Sequence, residues 1–148
     1  MTLRVSNPAA LDSRLYALSR ILLVFWMVAF VIAVILFLKI DKNSGVTVLA
    51  IFVGIGSIWA TIFAAGVIDN GMRESDDPSA AKIRRLWFYQ HAPAMCWPLL
   101  KIVFAPKSHR ILGISDGAIR LFRVSHLTSI VTLLCVFACI ALFPNDFR

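Results

Sequence analysis

Three uncharged stretches of this sequence are long enough to cross a membrane, and they limit the fold more than any other feature. They cover residues 21–38, 46–68 and 127–143. About 20 apolar residues in a helix cross a hydrocarbon layer about 30 Å thick. The chain is also 59% hydrophobic and 16% charged, whereas soluble domains average about 45–50% and about 25%. We therefore predict an all-α integral membrane protein with three transmembrane helices in one membrane domain, residues 1–148.

Local signals predict where the helices begin. Asn, Asp or Ser can cap the free N–H groups of a first turn, and Pro suits the first helical position because its missing N–H would have no partner there. Three helix starts of this kind are predicted, at Asn7 with Pro8, at Asp77 with Pro78 and at Ser115 with Asp116. The first helix then begins with an amphipathic cytoplasmic segment within residues 1–20.

The segment between the second and third spans is harder to assign. Asp69, Asn70 and Gly71 are typical turn residues and predict the end of the second span. The basic residues 69–125 follow, with amphipathic or interfacial helices expected within 78–123. The prolines in residues 86–105 disturb a long helix, so this part could be two short interfacial helices, a re-entrant hairpin or a kinked fourth span.

The distribution of cations favours three spans over four. With three spans, twelve of the 15 Lys and Arg residues lie on the side of the N-terminus. With four, the two sides carry almost equal numbers. Because cytoplasmic loops are enriched in Lys and Arg, we expect a multi-pass protein of the cell inner membrane or the mitochondrial inner membrane. Its N-terminus and residues 69–125 would face the cytoplasm or the equivalent compartment.

Small residues recur along the second span at helical spacing. They form two adjacent stripes, one of Ala50, Gly54, Ser57, Thr61 and Ala65 and one of Gly56, Ala60 and Ala64. Small side chains let membrane helices approach closely. The stripes therefore predict helix packing, either against another membrane protein or against the other spans of the same chain.

Basic and aromatic residues predict contact with anionic lipid headgroups. The predicted contact residues are Lys82, Arg84, Arg85, Trp87, Arg120 and Arg123. Cations that adjoin an apolar surface are typical of helices lying at the headgroup level. The alternative is that these charges only orient the loop. We expect no nucleic acid partner, because the cations are contiguous with apolar residues.

Nothing in the sequence predicts a catalytic residue, a cofactor or a metal site. His91, His109 and His126 lack ligand spacing, and Cys135 with Cys139 are expected to pack as small hydrophobic residues. The spans contain no Asp, Glu, Lys, Arg or His, although proton and ion pathways normally need an ionisable group. We therefore expect that the protein is not an enzyme.

Three functional hypotheses remain at this point. The first is a non-catalytic accessory or scaffold subunit of a larger membrane complex, of the secretion, conjugation or respiratory type, with other membrane subunits as partners. The second is a stand-alone membrane immunity or exclusion protein. The third is a small channel or membrane enzyme in which Asp69, His126 or residues 93–98 line a cavity.

Overall fold

The computed structural model describes residues 8–105, 110 and 112–144, of which 88% are helical and none lies in a strand. The helices are α1 (Pro8–Lys39), α2 (Lys42–Val48), a π-helical segment (Leu49–Ile55), α3 (Gly56–Glu74), α4 (Pro78–Arg84), α5 (Trp87–His91), a 3₁₀ turn (Pro93–Met95), α6 (Trp97–Phe104) and α7 (Asp116–Leu142).

Three of these helical stretches are long and apolar enough to cross a membrane, namely α1, the continuous run from α2 through α3, and α7. The predicted all-helical fold with three such helices is confirmed at this level. The second stretch begins at Lys42 rather than at residue 46, because Asp41 caps it. The Asp41 carboxylate accepts a hydrogen bond of 2.7 Å from the Ser44 amide.

The predicted turn at Asp69, Asn70 and Gly71 is wrong, because α3 continues through these residues to Glu74. Asp69 pairs with Arg73 one helical turn later, which supports the helix. Gly71 instead allows a close approach between chain segments. A Cβ atom there would lie 3.0 Å from the carbonyl oxygen of Gly113.

Residues 78–105 form short helices, which suit both the interfacial and the re-entrant alternative for residues 86–105. Asp77 caps α4 and Ser115 caps α7, as predicted, by accepting hydrogen bonds from the Ser79 and Ala118 amides. The helix predicted to start at Pro78 ends at Arg84. With five and eight residues, α5 and α6 are too short to cross a membrane.

The helices α1 and α7 run parallel to each other, the run from α2 through α3 lies antiparallel to both, and together they define two ends of the molecule. At the basic end, α1 and α7 begin, α3 ends and α4 to α6 are located. There the Asp12 carboxylate accepts a hydrogen bond of 2.6 Å from the Gly117 amide. At the far end, α1 and α7 finish beside α2, and the rings of Phe37 and Phe143 lie 5.7 Å apart.

Candidate functional site

A partly buried hydrogen-bond cluster lies at the basic end, immediately after the second uncharged stretch. Oδ1 of Asp69 accepts hydrogen bonds of 2.8 Å from Nε of Arg84 and from the hydroxyl of Tyr89. Oδ2 accepts one of 2.7 Å from Nε of Arg73. These four residues, which we call the Asp69 cluster, join α3, α4 and α5.

The environment of the cluster strengthens these bonds. The side chain of Asp69 is only 22% exposed and that of Arg84 31%, so water screens their attraction less than at an open surface. Burial, together with the hydrogen bond to the Asp69 carboxylate, raises the pKa of Tyr89 above its usual value. The phenol therefore remains a hydrogen-bond donor at neutral pH.

A cavity of about 610 Å³ lies beside the cluster, within the range of about 300–1,000 Å³ typical of ligand sites. Its lining residues are Thr61, Ile62, Ala65, Gly66, Asp69, Arg73, Arg84, Tyr89, Gln90, His91 and Pro93. The α3 residues from Thr61 to Gly66 form a mostly apolar part of the cavity. Asp69 and Arg73 of the same helix, with residues of α4 and α5, form a charged and hydrogen-bonding part.

The sequence indicated only some of these residues. Asp69, His91 and Pro93 were considered separately, and the structure brings them to one cavity. Tyr89 and Arg73 were not predicted as site residues. The spacing of four residues between Asp69 and Arg73 is the one local signal for part of the cluster.

The predicted headgroup residues have two different environments. Lys82, Arg85, Trp87 and Arg120 are exposed, and lipid contact stays a prediction for them. Arg84 and Arg123 bind within the protein instead. Arg84 belongs to the Asp69 cluster, and Nε of Arg123 donates to the backbone carbonyl of Val103, which holds α6 against α7.

The predicted small-residue stripes are buried only in part. Ser57, Thr61, Ala64 and Ala65 are buried within the chain, and the hydroxyls of Ser57 and Thr128 form a hydrogen bond of 2.9 Å between α3 and α7. Ala50 is exposed, and Gly56 and Ala60 are partly buried. The surroundings of Gly54 lie outside the part of the chain that is described.

The histidines and cysteines occupy separate places. His91 stacks on Trp87 with ring centroids 4.6 Å apart, and His126 stacks on Phe122 at 5.6 Å. His109 lies outside the described residues. Cys135 and Cys139 are free and half-buried. Within residues 8–105, 110 and 112–144, no group of three His, Cys, Asp or Glu side chains could hold a metal ion.

Comparison with protein-family models, with curated proteins and with solved structures finds no match to this chain.

Proposed function

We propose that this chain is a three-span membrane protein that serves as a non-catalytic accessory subunit of a larger membrane complex. The apolar faces of α1, α3 and α7 would face lipid or neighbouring subunits. The excess of Lys and Arg at the basic end supports a cytoplasmic or equivalent location for that end. The membrane would be the cell inner membrane or the mitochondrial inner membrane.

The observation that carries this proposal is the Asp69 cluster. It fixes α4 and α5 against the end of α3, so the basic segment is a folded platform. Lys82 and Arg85 lie exposed on that platform, where they can bind an acidic surface of another subunit. The uncharged stretches contain no Asp, Glu, Lys, Arg or His, which supports an anchoring role for the spans.

Blue-native electrophoresis after mild solubilisation tests the accessory role. We expect the protein to migrate in a complex much larger than its own 16.5 kDa. Replacing both Lys82 and Arg85 by Glu should dissociate that complex, because it reverses the charge of the platform. The matched control is Lys39→Glu at the far end, which should leave the complex intact. Migration as a lone small species without co-purifying chains would contradict the proposal.

Cysteine accessibility tests the proposed topology. In a variant with Cys96, Cys135 and Cys139 replaced by Ala, single cysteines can be introduced at exposed Asp76 or Asn43. A membrane-impermeant maleimide added to intact cells or to mitoplasts should label Asn43→Cys. It should label Asp76→Cys only after the membrane is opened. The reverse pattern would invert the proposed orientation.

A further inference from the structure

We propose that the cavity beside the Asp69 cluster binds the phosphate group of an anionic phospholipid. This inference rests on the proposed insertion into a membrane, but it requires no partner subunit. It assigns a ligand to one cavity, whereas the exposed cations of the platform predict only general attraction to headgroups.

The charges of the cluster favour an anion. Asp69 supplies one negative charge, while Arg73 and Arg84 supply two positive charges, so the cavity wall carries a net positive charge. Both guanidinium groups use Nε for Asp69. Among the described residues, their terminal nitrogens make no other hydrogen bond. Asp69 therefore orients two guanidinium groups and leaves donors that suit the oxygens of a phosphate.

The mostly apolar part of the cavity favours a lipid over a free phosphate ion. Ile62 is 57% exposed, and Gly66, one turn further along α3, is exposed as well. Both residues line the cavity and belong to the second uncharged stretch. A phosphate held by Arg73 and Arg84 would therefore lie next to a surface along which acyl chains can run into the hydrocarbon layer.

Two substitutions alter the cavity in different ways, and each has a matched control. Gly66→Leu places a side chain in the cavity, and a Cβ atom at Gly66 meets no atom within 4 Å. Gly56→Leu is its control, since the same is true there and Gly56 does not line the cavity. Arg73→Gln removes one cation from the cavity, and Arg14→Gln removes an exposed cation of α1 that does not line it.

The second pair of variants, Arg73→Gln and its control, is needed because Gly66 also borders a second cavity. That cavity, of about 570 Å³, lies on the other side of α3. Arg73 lines the first cavity and is absent from the lining of the second. Weaker binding in both Gly66→Leu and Arg73→Gln therefore identifies the cavity beside the Asp69 cluster.

Native mass spectrometry of the full chain in detergent micelles can measure binding of phosphatidylglycerol, with phosphatidylcholine as the neutral reference. We expect Arg73→Gln to bind phosphatidylglycerol about tenfold more weakly, the effect of losing about one charge-assisted hydrogen bond. Gly66→Leu should also bind it more weakly, because the leucine side chain occupies part of the cavity. Both controls should bind as the unaltered protein does. Equal binding by all five proteins would overturn the inference.

Inorganic phosphate, added as a competitor, distinguishes the two sources of the phosphate group. We expect it to leave the bound phosphatidylglycerol in place, because it lacks the acyl chains. Displacement of the lipid by inorganic phosphate would overturn the assignment to a phospholipid. Alkaline extraction of membranes from the same cells tests insertion separately. A chain that stays in the membrane pellet but shows equal lipid binding refutes the cavity assignment and leaves the proposed membrane function standing.

Discussion

The two ends of the molecule are held together in different ways. At the basic end, the buried core contains large side chains contributed by several helices, among them Ile68, Met72, Leu99 and Phe122. At the far end, the buried apolar cluster within the described residues consists of Ala29, Ala33 and Leu49. The basic end therefore folds much as a soluble domain does, whereas the far end leaves most of its large side chains on the outside.

Close approach of the backbone takes the place of a large core at the far end. A Cβ atom on Gly45 would lie 2.7 Å from the carbonyl oxygen of Ala33 and from Cβ of Phe37. Small residues allow this kind of packing between membrane helices. A hydrogen bond of 3.1 Å from the indole of Trp26 to the hydroxyl of Thr132 joins α1 to α7. The two ends should therefore differ in how much a substitution lowers the free energy of unfolding.

The largest difference should come from phenylalanine truncation. Phe122→Ala removes a fully buried side chain and should lower the free energy of unfolding by about 3–5 kcal/mol. Phe137→Ala is the matched control on the same helix, since Phe137 is 65% exposed, and it should change little. Unfolding in mixed micelles by an anionic detergent measures both. Equal losses of unfolding free energy in the two variants would show that the core does not distinguish the two ends.

Glycine substitutions should have the next largest effect, and at both ends. Gly45→Ala at the far end and Gly117→Ala at the basic end each place Cβ 2.7 Å from backbone oxygen. Each should destabilise the fold by about 1–3 kcal/mol. Gly56→Ala meets no neighbour within 4 Å and should stabilise α3 slightly. The same unfolding measurement applies, and a harmless Gly45→Ala would refute close approach as the basis of the far end.

Single hydrogen bonds should contribute more at the basic end. Tyr89→Phe removes a bond to the Asp69 carboxylate and should cost about 1.5 kcal/mol, since the acceptor is charged. Thr132→Val removes the partner of the Trp26 indole and should cost about 0.6 kcal/mol, an average value for membrane helices. Detergent unfolding can rank the two variants, and the reverse order would contradict the comparison.

The smallest effect should be the acid sensitivity of the helix caps, which is alike at the two ends. Hydrogen bonds from Ser79 lower the pKa of Asp77 below its ordinary value of 3.8, and those from Ser44 do the same for Asp41. Each cap therefore stabilises its helix above the ordinary pKa and is lost as the pH falls through the lowered pKa.

Hydrogen exchange measures this loss at the amides of Ser79 and Ser44. Exchange should accelerate, relative to the intrinsic rate, as the pH falls below about 4. Asp77→Asn provides the control because Asn caps a helix without titrating. Its Ser79 amide should show no such change. Acid sensitivity that persists in the control would assign the effect to another group.

The features predicted correctly from the sequence depend on neighbours in the chain. Asp77 and Ser115 cap helices with amides two or three residues away, so a short sequence window contains the whole interaction. The three apolar stretches were equally visible because length and composition alone identify them.

The features that were missed depend on distant partners. Asp69 and Gly71 were predicted as turn residues, yet Arg84 and Tyr89 lie 15 and 20 residues after Asp69. Gly71 contacts Gly113. A residue that favours turns locally can therefore remain in a helix when a tertiary contact uses its charge or its small size. No short window of sequence contains that information.

The position of α7 in the chain has a consequence for biogenesis. It follows α1 and α3, yet it carries Thr132 and Thr128, the hydrogen-bond partners of Trp26 and Ser57. In the proposed membrane topology, the first two spans would therefore enter the bilayer before the partners of these polar groups have been synthesised. A nascent chain arrested before Asp116 would lack the hydrogen-bond partners of the Trp26 indole and the Ser57 hydroxyl.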